Sequence, residues 1–183
     1  EFYVIQSAKD FTLSGGQSGL TSIFYIVSLL FFPSMATITF MQLLIICTIF
    51  AVIMHDMSEV ITGKRKIFLY LPFILLPVID GNLFTLRATL VSWLFLFVIC
   101  KLYYLITTNR MTLKYAVVLS VLTGLLIAWR SEYIYMLLLL PFTLWFLKKI
   151  NIKHALVLCV ICFISYSIFQ IPNKIALNGS NKY

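Results

Sequence analysis

Residues 113–149 read LKYAVVLSVLTGLLIAWRSEYIYMLLLLPFTLWFLKK, and this stretch indicates the fold class. Two apolar runs flank one polar break, Arg130-Ser131-Glu132. An α-helix rises about 1.5 Å per residue and the hydrocarbon core of a bilayer is about 30 Å thick. Each run is therefore nearly long enough to cross a membrane when flanking residues are counted. The stretch predicts two adjacent membrane helices with a guanidinium and a carboxylate at the turn between them.

The composition of the whole chain argues against a soluble globular protein. Of the 183 residues, 62% are hydrophobic and 11% are charged, whereas soluble domains are about half apolar and about a quarter charged. The net charge of +8 would suggest a nucleic-acid partner in a soluble protein. Here the basic residues lie between apolar runs, which is typical of topology signals and lipid-headgroup contacts. We predict an all-α, polytopic integral membrane helix bundle whose partner is the lipid bilayer and not nucleic acid.

The order of apolar and polar stretches predicts three regions. Residues 1–35 would form an external loop with a juxtamembrane helix, because the apolar run 20–33 is short and rich in hydroxyl residues. Residues 36–171 would form a transmembrane bundle of about six helices, over 36–54, 67–79, 83–106, 112–129, 133–147 and 155–171. Residues 55–66, which include Asp56 and Glu59, are predicted to be a polar loop. Residues 172–183 would be an external polar tail.

The basic residues predict the orientation of the bundle. If each long run crosses once, eight of them fall on one side: Lys64, Lys66, Lys114, Lys148, Lys149, Lys153, Arg65 and Arg110. Four fall on the other side: Arg87, Arg130, Lys174 and Lys182. Cytoplasmic loops carry the excess of Lys and Arg. Arg87 and Arg130 are therefore predicted to face the outside of the plasma membrane.

Several segments together resemble the GT-C class of polytopic glycosyltransferases, which take sugars from polyprenyl-phosphate carriers. Residues 1–8, EFYVIQSA, are similar to the acidic motif of the class's first external loop, with its first acid lost in an N-terminally truncated fragment. Gly15-Gly16 and the aromatic-rich run 20–32 follow in the order that the class shows. Residues 84–90, FTLRATL, resemble the segment that carries an outer Arg. Residues 122–130, LTGLLIAWR, resemble a helix that ends in a basic residue near the carrier phosphate.

This resemblance implies transfer of a sugar from a polyprenyl-phosphate donor to an acceptor on the outer membrane face. Glu1 and Asp10 would be the catalytic carboxylates that orient or deprotonate the acceptor. Arg130 and Arg87 would bind the carrier phosphate, and Glu132 would hold Arg130 in place. These residues call for no cofactor, although some members of the class hold a divalent metal with acids of the external loop.

Simpler interpretations stay open for each residue and for the protein. Arg130 could be an interfacial anchor paired with Glu132, and Arg87 could be a plain interfacial arginine. The alternatives for the whole chain are a transporter or flippase of a lipid-linked or small polar substrate, and a non-catalytic membrane subunit. A transporter would carry broken helices and polar groups at mid-depth. Lys101 is the only charged residue deep in an apolar run.

Overall fold

The computed structural model describes residues 19–63, 67, 86–172 and 174–175, and for residues 86–89 it describes the backbone alone. These residues form α-helices and no strand, which confirms the all-α prediction for the described part of the chain. The α-helices are α1 (Gly19–Phe31), α2 (Met35–Val60), α3 (Leu86–Thr107), α4 (Leu113–Trp129), α5 (Met136–Phe146) and α6 (Ile152–Phe169). A short 3-10 helix, Ser131–Tyr133, lies between α4 and α5.

Three of the described helices are long and apolar enough to cross a membrane. They are α2, the Leu90–Thr107 part of α3, and α6. The others, α1, α4 and α5, are shorter apolar helices. Many large apolar side chains are exposed along these helices, including Phe40 at 61%, Val160 at 57% and Phe163 at 57%. Exposed apolar surface on this scale indicates a lipid bilayer environment.

Two polar contacts show that α2 and α3 run parallel. Lys101 of α3 pairs with Asp56 of α2, and Tyr104 donates a hydrogen bond to Glu59. From the first pair to the second, the residue number increases by three on α2 and by three on α3, so the two helices run in the same direction. The helix ends also place α4 antiparallel to α3, since only residues 108–112 separate them. We call the end of the bundle where α4 ends the Arg130 end, and the opposite end the Lys149 end.

The contact between α4 and α6 is built from small residues. Four buried small residues of α4 recur at every fourth position, Ala116, Ser120, Gly124 and Ala128, and α6 buries Ala155, Leu158, Cys162 and Ser165. Small residues let the backbones of membrane helices approach closely. At Gly124 an added Cβ would lie 2.6 Å from the Ser165 Cβ and 2.8 Å from the Cys162 carbonyl oxygen. The two backbones are therefore in direct contact, and α4 and α6 run parallel.

The first helix, α1, starts and finishes at the Arg130 end. Trp129 Nε1 donates a 2.9 Å hydrogen bond to Thr21 Oγ1 in the first turn of α1. Residues 32–34 then connect α1 to the start of α2, which lies at the same end. Both ends of α1, which has 13 residues, therefore lie at the Arg130 end, and α1 does not cross the bundle. That this end faces the outside of a cell stays a prediction.

Two predicted boundaries were wrong. The polar loop predicted from residue 55 is helical as far as Val60, because the carboxylates of Asp56 and Glu59 find partners on α3. The predicted helix 133–147 begins as a 3-10 turn, and α5 has only 11 residues. The predicted helix over 67–79 and most of the predicted polar tail lie outside the described residues.

Candidate functional site

The polar break between α4 and α5 forms a turn that joins Arg130 to Glu132. Helix α4 ends at Trp129, and Arg130 leaves it with an extended backbone, φ −144° and ψ 105°. The Arg130 N–H still donates to the Leu126 carbonyl at 2.9 Å, and the 3-10 helix follows at once. A spacing of two residues does not pair side chains within a regular helix. The 3-10 turn brings the two side chains to the same side, and Arg130 Nε contacts Glu132 Oε2.

Arg130 is only partly open to solvent. Its side chain is 33% exposed, whereas that of Glu132 is 65% exposed. The Nε atom of Arg130 is buried and forms an ion pair with the Glu132 carboxylate. It makes no hydrogen bond to any described residue. One edge of the guanidinium is therefore enclosed by the protein. The exposed part of the side chain can receive an anion at the Arg130 end.

Neighbouring helices hold this turn in place. The Tyr133 ring stacks on Phe95 of α3 with centroids 4.9 Å apart. Gln170, just after α6, donates from Nε2 to the Ala128 carbonyl at 3.4 Å. Together with the bond between Trp129 and Thr21, these contacts bring α1, α3 and α6 to the connection between α4 and α5. The turn thus lies where five helices meet: α1, α3, α4, α5 and α6.

The other predicted site residues have different outcomes. Arg87 lies near the start of α3, about two turns before Phe95, so its backbone is at the Arg130 end. Its side chain lies outside the described residues, as do Glu1 and Asp10 altogether. The structure brings Arg130 and Glu132 together and places the backbone of Arg87 at the same end. The roles of Arg87, Glu1 and Asp10 stay predictions.

A second polar cluster, at the Lys149 end, was missed by sequence reasoning. Asp56 is 4% exposed and accepts a 2.7 Å ion-paired hydrogen bond from Lys101. Glu59 Oε2 accepts hydrogen bonds from the Tyr104 hydroxyl at 2.7 Å and from Arg110 at 3.1 Å. The sequence did contain an indication of this cluster, because Asp56 and Glu59 are three residues apart, and so are Lys101 and Tyr104. A polar pair at helical spacing on two apolar runs indicates facing sides of two helices.

Metal binding has no candidate residues in the described part of the chain. No group of three or more His, Cys, Asp or Glu side chains comes together there as a metal site. The acids of the predicted external loop, Glu1 and Asp10, lie outside that part.

Comparison of the chain with protein-family models, with curated proteins and with solved structures finds no match.

Proposed function

We propose that this protein is a multi-pass glycosyltransferase of the plasma membrane, which moves a sugar from a polyprenyl-phosphate donor to an acceptor on the outer face. The observation that supports this most is the placement of Arg130 at the end of an apolar bundle, held by Glu132 and one-third exposed. A guanidinium is permanently charged and meets phosphate oxygens with two parallel N–H donors. The phosphate of a membrane-anchored carrier lies at the same depth as such an interfacial arginine.

The proposed reaction uses residues at the Arg130 end. The acceptor hydroxyl attacks the anomeric carbon, the bond from that carbon to the carrier's phosphate oxygen breaks, and the carrier leaves as its phosphate. Arg130 stabilises the negative charge that develops on this phosphate, and Arg87 would add a second cation. The acceptor's proton passes to a carboxylate, for which Glu1 and Asp10 are the candidates. Gly19, which follows these residues in the sequence, begins α1 at the Arg130 end, since Thr21 bonds to Trp129.

Replacing Arg130 with Gln is expected to weaken the binding of polyprenyl phosphate by about tenfold to a hundredfold. Hydrogen bonds to charged groups contribute about 1.5–3 kcal/mol. The measurement is fluorescence anisotropy of a labelled short-chain polyprenyl phosphate with purified protein in detergent. The matching polyprenol serves as the ligand that lacks only the phosphate. Release of polyprenyl phosphate from sugar-loaded carriers, followed in the same preparations, should fall with binding.

The matched control is Lys174→Gln, which removes an exposed cation just beyond α6 and should leave binding unchanged. Arg130→Lys keeps the charge but loses the planar fork, so an intermediate affinity is expected. Equal binding of the phosphate and the polyprenol, or full binding by the Arg130→Gln protein, would overturn the proposal. Arg130 would then be an interfacial anchor.

The proposed orientation makes a separate prediction. In a background without the four native cysteines, a cysteine at exposed Ser131 should react with an impermeant maleimide added outside intact cells. A cysteine at exposed Asn151, at the Lys149 end, should react only after permeabilisation. The reverse pattern would place the phosphate site in the cytoplasm and contradict transfer on the outer face. Labelling of both from one side would show that α5 does not cross the membrane.

A transporter of a lipid-linked or small polar substrate is the second candidate. The buried pair of Asp56 and Lys101 favours it, because ionisable residues within membrane helices often mark ion or substrate pathways. The two candidates differ in one product. A transporter would move the lipid-linked sugar across a vesicle bilayer intact, whereas a transferase would break the bond between the sugar and the phosphate.

A further inference from the structure

The Lys149 end carries a surface with an excess of positive charge. It is formed by the loops 108–112 and 147–151 and by the first turns of α4 and α6, and we call it the basic surface. Its cations are Arg110, Lys114, Lys148, Lys149 and Lys153. The described acids at this end, Asp56 and Glu59, are already paired with Lys101 and Arg110. The four lysines of the basic surface have no carboxylate partner among the described residues.

The two loops of the basic surface are joined to each other. Lys149 Nζ donates a 2.7 Å hydrogen bond to Asn109 Oδ1, which links the loop after α5 to the loop after α3. Each loop turns through one left-handed residue, Asn109 at φ 55° and Lys148 at φ 54°. Arg110 is held in turn by Glu59 at 3.1 Å and by the Tyr104 hydroxyl at 2.6 Å. The cations are therefore arranged on a connected frame and not on independent loops.

Exposed apolar side chains alternate with these cations. Phe146 is 80% exposed and Leu147 is 42% exposed, directly before Lys148. Leu113 and Ile152, at 48% and 41%, precede Lys114 and Lys153. A soluble polyanion such as nucleic acid would pair with the cations but leave these apolar groups in water. A lipid leaflet covers the apolar groups with acyl chains while its headgroups meet the cations.

Aromatic residues mark the same level of the bundle. Tyr103, Tyr115 and Trp145 are all exposed at the Lys149 end, at 53%, 45% and 43%. Exposed tyrosine and tryptophan are enriched at the depth of lipid headgroups, where the ring is apolar and its polar atom is wet. This places the basic surface at a membrane–water interface.

We propose that the basic surface binds the headgroups of anionic phospholipids in the leaflet at the Lys149 end, with its joined loops holding the cations against the headgroup phosphates. This binding is separate from the sugar transfer proposed at the Arg130 end. It depends on excess positive charge, exposed apolar neighbours and the Lys149–Asn109 link.

The test measures lipid preference with the whole chain reconstituted in vesicles. Trp145 is exposed, whereas Trp93 and Trp129 are 3% and 8% exposed, so brominated lipids should quench mainly Trp145. Comparing brominated phosphatidylglycerol with brominated phosphatidylcholine gives the relative binding constant. We expect phosphatidylglycerol to be preferred about tenfold at low salt, which corresponds to one or two cations held against one headgroup at about fivefold each. The preference should shrink at high ionic strength.

Two variants separate the surface from net charge. A triple variant, Lys148→Asn, Lys149→Gln and Lys153→Gln, should reduce the preference to about twofold or less; Asn tolerates the left-handed backbone at position 148. Lys174→Gln, at the Arg130 end, should keep the full preference.

Asn109→Gly tests the link between the two loops. It preserves the turn, because glycine accepts a positive φ, but removes the hydrogen-bond acceptor of Lys149. It should lower the preference about twofold to fivefold.

Three outcomes would overturn the proposal. One is equal binding of the two lipids by the unmodified protein, and another is an unchanged preference in the triple variant. The third is a loss per charge removed that is as large in Lys174→Gln as in the triple variant, which would show that the preference depends on net charge and not on the basic surface. Binding of a labelled oligonucleotide by protein that shows no lipid preference would instead assign the basic surface to nucleic acid.

Discussion

Replacing Gly124 with Leu is expected to separate α4 from α6 and to lower the free energy of unfolding by about 3 kcal/mol or more. Even a single added carbon at this position would lie 2.6 Å from the Ser165 Cβ and 2.8 Å from the Tyr166 amide nitrogen. Atoms of the α6 backbone cannot rotate away as a flexible side chain can. The helix as a whole must move, which opens the contact along its length.

The measurement is the folded fraction during a titration with denaturing detergent in mixed micelles. Gly124→Ala should have a smaller effect than Gly124→Leu, because it adds one carbon atom to the contact and not four, and its helix propensity, about 1 kcal/mol better than that of Gly, offsets part of the clash. The matched control is Val121→Leu, which adds volume on the exposed side of α4 and should leave stability nearly unchanged. A Gly124→Leu protein as stable as this control would show that α4 and α6 are not in backbone contact.

Replacing Lys101 with Met is expected to have the second large effect, a loss of about 3 kcal/mol in the free energy of unfolding. The change leaves Asp56, whose side chain is 6% exposed, without its cation among apolar helices. Removing one partner of a buried ion pair costs about 3–5 kcal/mol, and the partial exposure of Lys101, 22%, favours the lower value. The same detergent titration measures the loss.

A double variant and a control at the same end make this test specific. Asp56→Leu together with Lys101→Met removes both charges, so the loss should be well below the sum of the two single losses. Arg110→Gln breaks the neighbouring pair with Glu59, whose side chains are 61% and 38% exposed. Exposed pairs contribute little, so its effect should be much smaller than that of Lys101→Met. Strict additivity of the two single variants at the buried pair would contradict a direct interaction.

These two predictions also bear on the choice between transferase and transporter. If the pair of Asp56 and Lys101 serves only to fix α2 against α3, the double variant should keep the activity measured at the Arg130 end. Loss of activity in a stable double variant would assign the pair a role in a pathway through the membrane. The stability measurement and the activity measurement therefore have to be made on the same preparations.

Part of the candidate site followed from local sequence. The apolar runs on either side of Arg130-Ser131-Glu132 predicted two helices joined by a turn, and the structure has both, although the second begins only at Met136. That Glu132 reaches Arg130 also required a turn, and the 3-10 helix provides it. The depth to which Arg130 Nε is enclosed was not predictable, since α1, α3 and α6 pack around this turn and lie far away in the sequence.

At the Lys149 end, the sequence alone predicted the end of α2 too early in the chain. Asp56 and Glu59 were predicted to lie in a loop because carboxylates near the end of an apolar run normally indicate a solvent-exposed segment. They extend α2 instead, since Lys101 and Tyr104 stand opposite them on α3. A residue's own neighbours cannot reveal a partner 45 positions away. Only the parallel alignment of the two helices shows that the charges are compensated.

The sequence by itself determined the all-α class and the apolar, membrane-type surface, because composition and the length of apolar runs act locally and leave few other structures available. It also determined the excess of basic residues in the loops. The tertiary structure decided which helices lie side by side, that Gly124 meets the backbone of α6, and that α1 keeps both ends at the Arg130 end. These features depend on contacts between distant segments, whose energies depend on close fit and not on residue type alone.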